Sequence, residues 1–238
     1  MTLSDSTETI PTRDGREMPA FAARPRGGRG PGLVMLHEIF GVTEYIRRRA
    51  RDLAALGYLA LVPHLYWRLA PNLELPENTT EGLQEALGYM QRLDEPQAVE
   101  DAATALDHLR GMPETGGKAG VLGFCLGGRL AYTVATRSEP DVVVSYYGSG
   151  IAGQLELAPR VRGPILFHFG DNDQYLPVVE AERIGAAFSG REDAEVHMHA
   201  GAGHAFDNPS PLFHHRQASE EAWPQTVAFL RRYFPPNG

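Results

Sequence analysis

The run Gly123-Phe124-Cys125-Leu126-Gly127-Gly128 places a thiol with glycines two residues before and two residues after it. A nucleophile carried on a sharp turn between a strand and a helix needs small neighbours at those positions, because the backbone closes tightly around it. Such a turn lifts the side chain above the carboxyl end of a sheet. The N-terminus of the following helix favours a thiolate and offers backbone N–H groups to a developing oxyanion. Taken alone, the motif also fits an inert cysteine packed among glycines. Two later segments change the balance: Gly170-Asp171-Asn172-Asp173 and Gly201-Ala202-Gly203-His204 each follow a short apolar run. A loop carboxylate there can orient a histidine, and the histidine can serve the thiol as base and acid. Asp173 is favoured for the carboxylate because it lies nearer Pro177, where a helix starts; Asp171 is the competitor, and a turn role accounts for it.

Short apolar runs bounded by Gly and Pro alternate with longer amphipathic stretches, the pattern of parallel strands joined by crossover helices. Strands are expected over Glu8–Arg13, Met18–Arg24, Gly32–His37, Tyr58–Val62, Ala119–Leu122, Val142–Tyr147, Pro164–Gly170 and Ala194–His199. Helices are expected from the Thr43 cap to Leu56, over Glu81–Leu93, from the Asp94 cap to about Gly111, and over Arg129–Thr136, Pro177–Phe188 and Trp223–Phe234. Nucleophile, acid and histidine then fall in the chain order of the α/β-hydrolase fold, which differs from the chymotrypsin and subtilisin orders. With no repeat and no biased linker, residues 1–238 read as a single α/β domain, a mostly parallel central sheet with helices on both faces.

Composition narrows the function classes. The chain has 238 residues, 42% of them apolar, and a formal net charge of −8, which repels phosphate backbones and anionic membrane surfaces. Nucleic acid and membranes are therefore excluded as expected partners. One cysteine rules out an internal disulfide. The start of the chain lacks the basic, then apolar, pattern of a secretory signal, and no apolar run reaches the roughly 20 residues of a membrane span, so a cytoplasmic location is expected.

The sequence resembles the dienelactone hydrolases (carboxymethylenebutenolidases), cysteine members of the α/β-hydrolase fold, over nearly its whole length. Beyond the motifs above, the resemblance rests on His37-Glu38-Ile39-Phe40-Gly41, Pro63-His64-Leu65-Tyr66 and Tyr146-Tyr147-Gly148. It implies Cys125 as nucleophile, His204 as base and acid, Asp173 as its partner, and the N–H groups of Ile39 and Leu126 as the oxyanion hole. Glu38 matches the family glutamate that contacts the resting thiol and takes its proton when substrate binds. On physical grounds, a carboxyl and a thiolate side by side do not both stay charged, so one of the two is expected to be protonated at rest. The family clamps the dienelactone carboxylate with two arginines. The matching positions here are Glu81-Gly82-Leu83-Gln84-Glu85 and Asn208, without arginine, so neutral or larger ester, lactone or thioester substrates are expected. Phe40, Tyr66, Trp67, Tyr146 and Tyr147 are candidate pocket walls, and Arg68 is a candidate substitute for the absent arginines.

The mechanism needs no metal or cofactor. His197 and His199 alternate along one strand but lack the spacing of common zinc sites, as does His214-His215. Ser149 lacks the five-residue turn and is read as structural. The Gly-rich basic run from Arg24 to Gly32 precedes a strand, so it lacks the helix N-terminus of a phosphate site and is read as a surface loop. A non-catalytic ligand-binding module and a redox-active single-cysteine protein are the alternative functions. A monomer and a homodimer are equally open.

Overall fold

The structure, a computed structural model, describes residues 4–236; Met1 to Leu3, with which the acidic start of the chain begins, and the last two residues lie outside the described ones. Eight strands form one sheet in the order β1-β2-β4-β3-β5-β6-β7-β8. They are β1 (Ser4–Pro11), β2 (Glu17–Arg24), β3 (Gly32–Leu36), β4 (Leu59–Pro63), β5 (Ala119–Phe124), β6 (Val143–Tyr146), β7 (Ile165–Gly170) and β8 (Ala194–His199). The β1–β2 hairpin pairs antiparallel to β4, and every pairing from β4 to β8 is parallel. The helices are α1 (Glu44–Ala55), α2 (Thr80–Arg92), α3 (Glu95–Gly111), α4 (Leu126–Ala135), α5 (Val178–Ala187) and α6 (Arg216–Tyr233). This is the α/β-hydrolase architecture that the strand–helix alternation predicts.

The central strands are apolar throughout because both sheet faces are covered. Along β3, Val34 and Leu36 join the core beneath α3, α4 and α5, while Leu33 and Met35 join the core beneath α1 and α6. Period-two alternation therefore assigns each residue to a layer. Among the described residues no helix is long and apolar enough to cross a membrane.

Several element ends and caps differ from expectation; β1, for one, runs over Ser4–Pro11 and not Glu8–Arg13. α4 starts at Leu126, directly after Cys125, although Gly127 and Gly128 are poor helix formers. Close approach explains it: a Cβ on Gly127 would stand 2.1 Å from the Leu36 carbonyl oxygen, and one on Gly128 2.5 Å from that of Tyr146. α6 begins at Arg216, ahead of Trp223, because the His215 ring accepts the Ala218 N–H and caps an earlier turn. Thr43 occupies the N-cap position of α1 but its hydroxyl does not cap; it donates to Glu77 Oε1 at 3.0 Å.

Candidate active site

Chain order reverses at β3, which has β4 on one side and β5 on the other, so the loops leaving β3 and β5 diverge and open a crevice at the carboxyl ends of the strands. The loop after β3 brings Glu38, Ile39 and Phe40 to that crevice, and the turn after β5 brings Cys125. The β7 and β8 loops deliver Asp173 and His204 from the same edge.

Cys125 has φ 54° and ψ −115°, a left-handed region that costs a non-glycine residue roughly 1–3 kcal/mol. Surrounding structure holds it there. Its N–H donates to the Tyr146 carbonyl at 3.0 Å, its own carbonyl accepts from the Arg129 N–H at 3.1 Å, and a Cβ on Gly123 would lie 2.0 Å from the Gly127 oxygen. The turn aims Sγ at His204, whose Nε2 stands 3.0 Å away. His204 Nδ1 lies 2.8 Å from Asp173 Oδ2, and the other Asp173 oxygen accepts the N–H groups of Tyr175 at 2.8 Å and Leu176 at 3.1 Å. A carboxylate facing Nδ1 keeps that nitrogen protonated and turns Nε2 to the sulfur. Burial opposes charge on His204, yet the adjacent Cys125 sulfur and Asp173 carboxylate outweigh it and hold the imidazole well above its ordinary range. Asp171 takes no part; it accepts the Gly201 N–H at 2.6 Å as a turn residue.

The β3 loop is anchored by His37. Its Nε2 accepts the Leu65 N–H at 3.0 Å, so Nδ1 carries the proton and donates to the Glu38 carbonyl at 2.6 Å. Burial keeps this ring neutral, with its pKa lowered to about 3. The Glu38 carboxyl is buried as well, accepting from the Tyr147 hydroxyl at 3.1 Å and from Asn208 Nδ2 at 2.7 Å. Burial, aided by the neighbouring Glu77 carboxylate, pushes it up to about 8. Behind it, the Tyr45 hydroxyl lies 3.4 Å from that of Tyr147 and donates at 2.6 Å to Asp207, which the Arg49 guanidinium grips with two N–H groups. Two backbone donors border the same space. Leu126 is the first residue of α4, where N–H groups have no partner within the helix, and the Ile39 N–H makes no hydrogen bond among the described residues.

Above Cys125 lies a cleft of about 540 Å³, counted out to its open mouth. Its walls are Phe40, Leu83, Leu87, Met90 and Phe213, with Tyr175 at the rim. A more polar groove bordered by Thr80, Asn172 and Gln174 continues on the other side of Tyr175 and also reaches His204.

The sequence profile of the dienelactone hydrolase family matches residues 18–234. The chain belongs to the dienelactone hydrolase family. It is 32% identical over 235 residues to carboxymethylenebutenolidase 1 of Cupriavidus pinatubonensis, covering 99% of this chain and 100% of that one. It is 33% identical over 222 residues to the carboxymethylenebutenolidase of Pseudomonas putida, covering 93% and 94%. The fold superimposes on a candidate dienelactone hydrolase from Klebsiella pneumoniae with a TM-score of 0.80 at 25% identity, covering 98% and 100% of the two chains.

Within this dienelactone hydrolase family fold, Phe40 lies on the cleft wall, but four of the other residues expected there pack elsewhere and Tyr147 sits beneath. Arg68 does not face the cleft: its guanidinium forms a two-pronged pair with Asp101 at 2.9 and 2.8 Å and a further bond to Asp14 at 2.7 Å. Trp67 follows it, donating Nε1–H to Asp101 at 2.8 Å and stacking under the Arg68 guanidinium. Tyr66 is buried between His37 and Tyr89, and Tyr146 is buried with its hydroxyl 2.6 Å from that of Thr226. Tyr147, also fully buried, packs its ring edge-on to His204 and supports the site from below.

Sequence reasoning missed the wall contributed by α2. Its signal was present, since Leu83, Leu87 and Met90 fall on one helical stripe, but the stripe reads equally as core. Ser149 also borders the cleft. Asn208, noted only as the position without arginine, bonds both Glu38 and Glu77. Among the described residues no three metal-ligating side chains gather; His199 bonds His168 at 3.1 Å and His197 stacks on it.

Proposed function

We propose that this member of the dienelactone hydrolase family cleaves uncharged ester, lactone or thioester bonds through an acyl-Cys125 intermediate. The observation that carries this reading is the Cys125 Sγ to His204 Nε2 distance of 3.0 Å, with Asp173 closing on the far side of the ring. At rest His204 Nε2 holds the proton of the Cys125 thiol, and the thiolate attacks the substrate carbonyl. The carbonyl oxygen, now an anion, takes hydrogen bonds from the N–H groups of Ile39 and Leu126. Collapse breaks the bond to the leaving alcohol or thiol, which receives the proton from His204. Water then gives a proton to His204, attacks the acyl carbon and releases the carboxylic acid, and Cys125 leaves as thiolate. The Glu38 carboxyl bonds Tyr147 and Asn208 and not Cys125, whose sulfur faces His204, so the contact with the resting thiol that the resemblance implies is not made; protonated at neutral pH, Glu38 cannot take the thiol proton and adds no second negative charge to the cleft.

The cleft supports uncharged substrates. Its walls are mostly apolar, its titratable members are Glu38, Cys125, Tyr175 and His204, and no Arg or Lys lines it among the described residues. A substrate carboxylate would be desolvated there without a cation, whereas a medium-length alkyl or aromatic acyl group fills the space between α2 and Phe213. The test is rapid-mixing hydrolysis of a chromogenic butyrate or hexanoate ester with mass spectrometry of the quenched protein. An acyl adduct on Cys125 that disappears in Cys125→Ala is the expected result. Turnover without an adduct, or neither across several acyl lengths, overturns the reading.

A further inference from the structure

The buried carboxyl of Glu38 faces a second carboxyl across one amide group. Asn208 Nδ2 has two hydrogens; one goes to Glu38 Oε2 at 2.7 Å and the other to Glu77 Oε1 at 2.9 Å. The amide cannot turn over, because its Oδ1 accepts the Ser210 N–H at 2.9 Å. Glu77 is held on its other sides too: Thr43 donates to the same Oε1 at 3.0 Å, and the Ser210 hydroxyl donates to the Glu77 carbonyl at 2.6 Å. Thus a residue of the loop leading into α2 is tied to α1, to the histidine loop and, through Asn208, to the carboxyl that shares the cleft with Cys125.

We infer that Glu77 is a positioning residue for the proposed reaction: held close by the shared Asn208 amide, its negative charge keeps Glu38 in the protonated form in the cleft of Cys125, against the Asn208 N–H bond, which by itself favours the carboxylate. The inference rests on the proposed role of Cys125 only for its kinetic consequence, not for the electrostatics. Two carboxyls sharing a pair of hydrogens on one nitrogen, both largely out of water, do not ionise together; the second proton is held to higher pH. Glu77 is the one that ionises first. It is the less deeply buried of the two, while each carboxyl accepts one hydroxyl besides the shared amide. The charged and titratable groups around the pair act unequally. Burial first, and then Glu74, oppose the charge on Glu77 and raise its carboxyl above the ordinary value, while the Asn208 and Thr43 bonds and Arg48 favour the charge. Asn208, His204 and the Tyr147 hydroxyl favour ionised Glu38, but burial and Glu77 prevail, leaving it at about 8. Tyr45, on α1, stays neutral and bonded to Asp207.

The substitution Glu77→Gln isolates the charge. Both side-chain bonds made by Glu77 end on Oε1, so glutamine keeps them and removes only the negative charge. The measurement is the carbon-13 NMR titration of the Glu38 carboxyl, assigned by its loss in Glu38→Gln, in the full chain. Wild type is expected to show Glu38 titrating near pH 8 with a lower partner step from Glu77. Glu77→Gln is expected to lower the Glu38 midpoint by about one pH unit, a tenfold change in its ionisation constant. Glu77→Ala, which removes the bonds as well, is expected to shift the midpoint similarly while also lowering thermal stability. The alkaline fall in Cys125 acylation moves to lower pH in step. A midpoint unmoved by the Gln variant, a shift seen only with Ala, or an ordinary carboxyl midpoint in wild type each overturns the inference. Absence of ester turnover in wild type, with the midpoint shift intact, overturns the hydrolase reading alone.

Discussion

Sγ of Cys125 and Nε2 of His204 lie 3.0 Å apart although 79 residues separate them in the chain. Four parallel strands bring them together, since the turn after β5 and the loop after β8 leave the same edge of one sheet. The strained backbone of Cys125 is what aims the sulfur across that edge.

Removing either partner tests the pair. Cys125→Ala and His204→Ala should each lower ester kcat/KM by about 10³-fold or more, and Asp173→Asn by about 10²- to 10⁴-fold, because the asparagine favours the wrong histidine tautomer. The fold should remain, as read by circular dichroism. Stopped-flow kinetics of a chromogenic ester checks all three.

Substrate preference should follow the α2 wall and not Arg68. Shortening Leu87 to Ala removes apolar contact and should cut the preference for hexanoate over acetate esters by roughly five- to tenfold, at about 0.8 kcal/mol for each lost methylene contact. Arg68→Ala should leave this ratio unchanged and instead cost about 1–3 kcal/mol in a urea titration, since it unpairs the buried Asp101. A carboxylate-bearing lactone that loses activity with Arg68→Ala would contradict this.

Glu38 links activity and stability to pH. Its folded pKa of about 8 lies above the ordinary carboxyl value of 4.5, so its stabilising contribution is complete below about 4.5 and is lost as pH rises through about 8. The stability difference between wild type and Glu38→Gln should therefore shrink by a few kcal/mol between pH 5 and pH 8.5, the variant becoming the relatively better one at the alkaline end. Thermal denaturation of both proteins across that range measures it.

Two neutral histidines, His37 buried and His64 half-buried, act in the opposite direction. His37 at about 3 and His64 at about 4 must gain protons on unfolding in acid, so stability is present above about 6.5 and falls as pH drops towards 4. His37→Ala should blunt that fall and, by leaving the buried Leu65 N–H unpaired, cost about 2–3 kcal/mol at neutral pH. Urea titrations at pH 5 and pH 7 separate the two effects.

At the turn, Gly127→Ala should abolish the folded site, losing more than about 3 kcal/mol, because its methyl would occupy the space of the Leu36 carbonyl. Gly153→Ala, with open space around it, should stay within about 0.5 kcal/mol of wild type. Expression yield and melting temperature distinguish them.

Much was legible because the physics is local. Short apolar runs marked every central strand, since a strand buried on both faces must be apolar at every position. Gly123 and Gly127 marked the turn, since only glycine leaves room for the crossing backbones. Element ends were less legible: α4 begins at Leu126 despite two glycines because β3 and β6 approach there, which no propensity records. The aromatic residues misled for a related reason. Tyr66, Trp67, Tyr146 and Tyr147 look alike as residue types, and whether a ring walls a cleft or fills a core depends on which neighbours cover it.

The amino-acid sequence by itself determined the strand–helix order, the turn that carries Cys125 and the loops that carry Asp173 and His204, because periodicity and backbone sterics act over a few residues. Only the tertiary structure decided that Arg68 belongs to Asp101, that α2 supplies the apolar wall, and that Glu38 and Glu77 share the Asn208 amide. Those outcomes depend on distances between residues far apart in the chain and on their burial, where a charge finds a partner or gives up its ionisation, and neither quantity exists until the layers have packed.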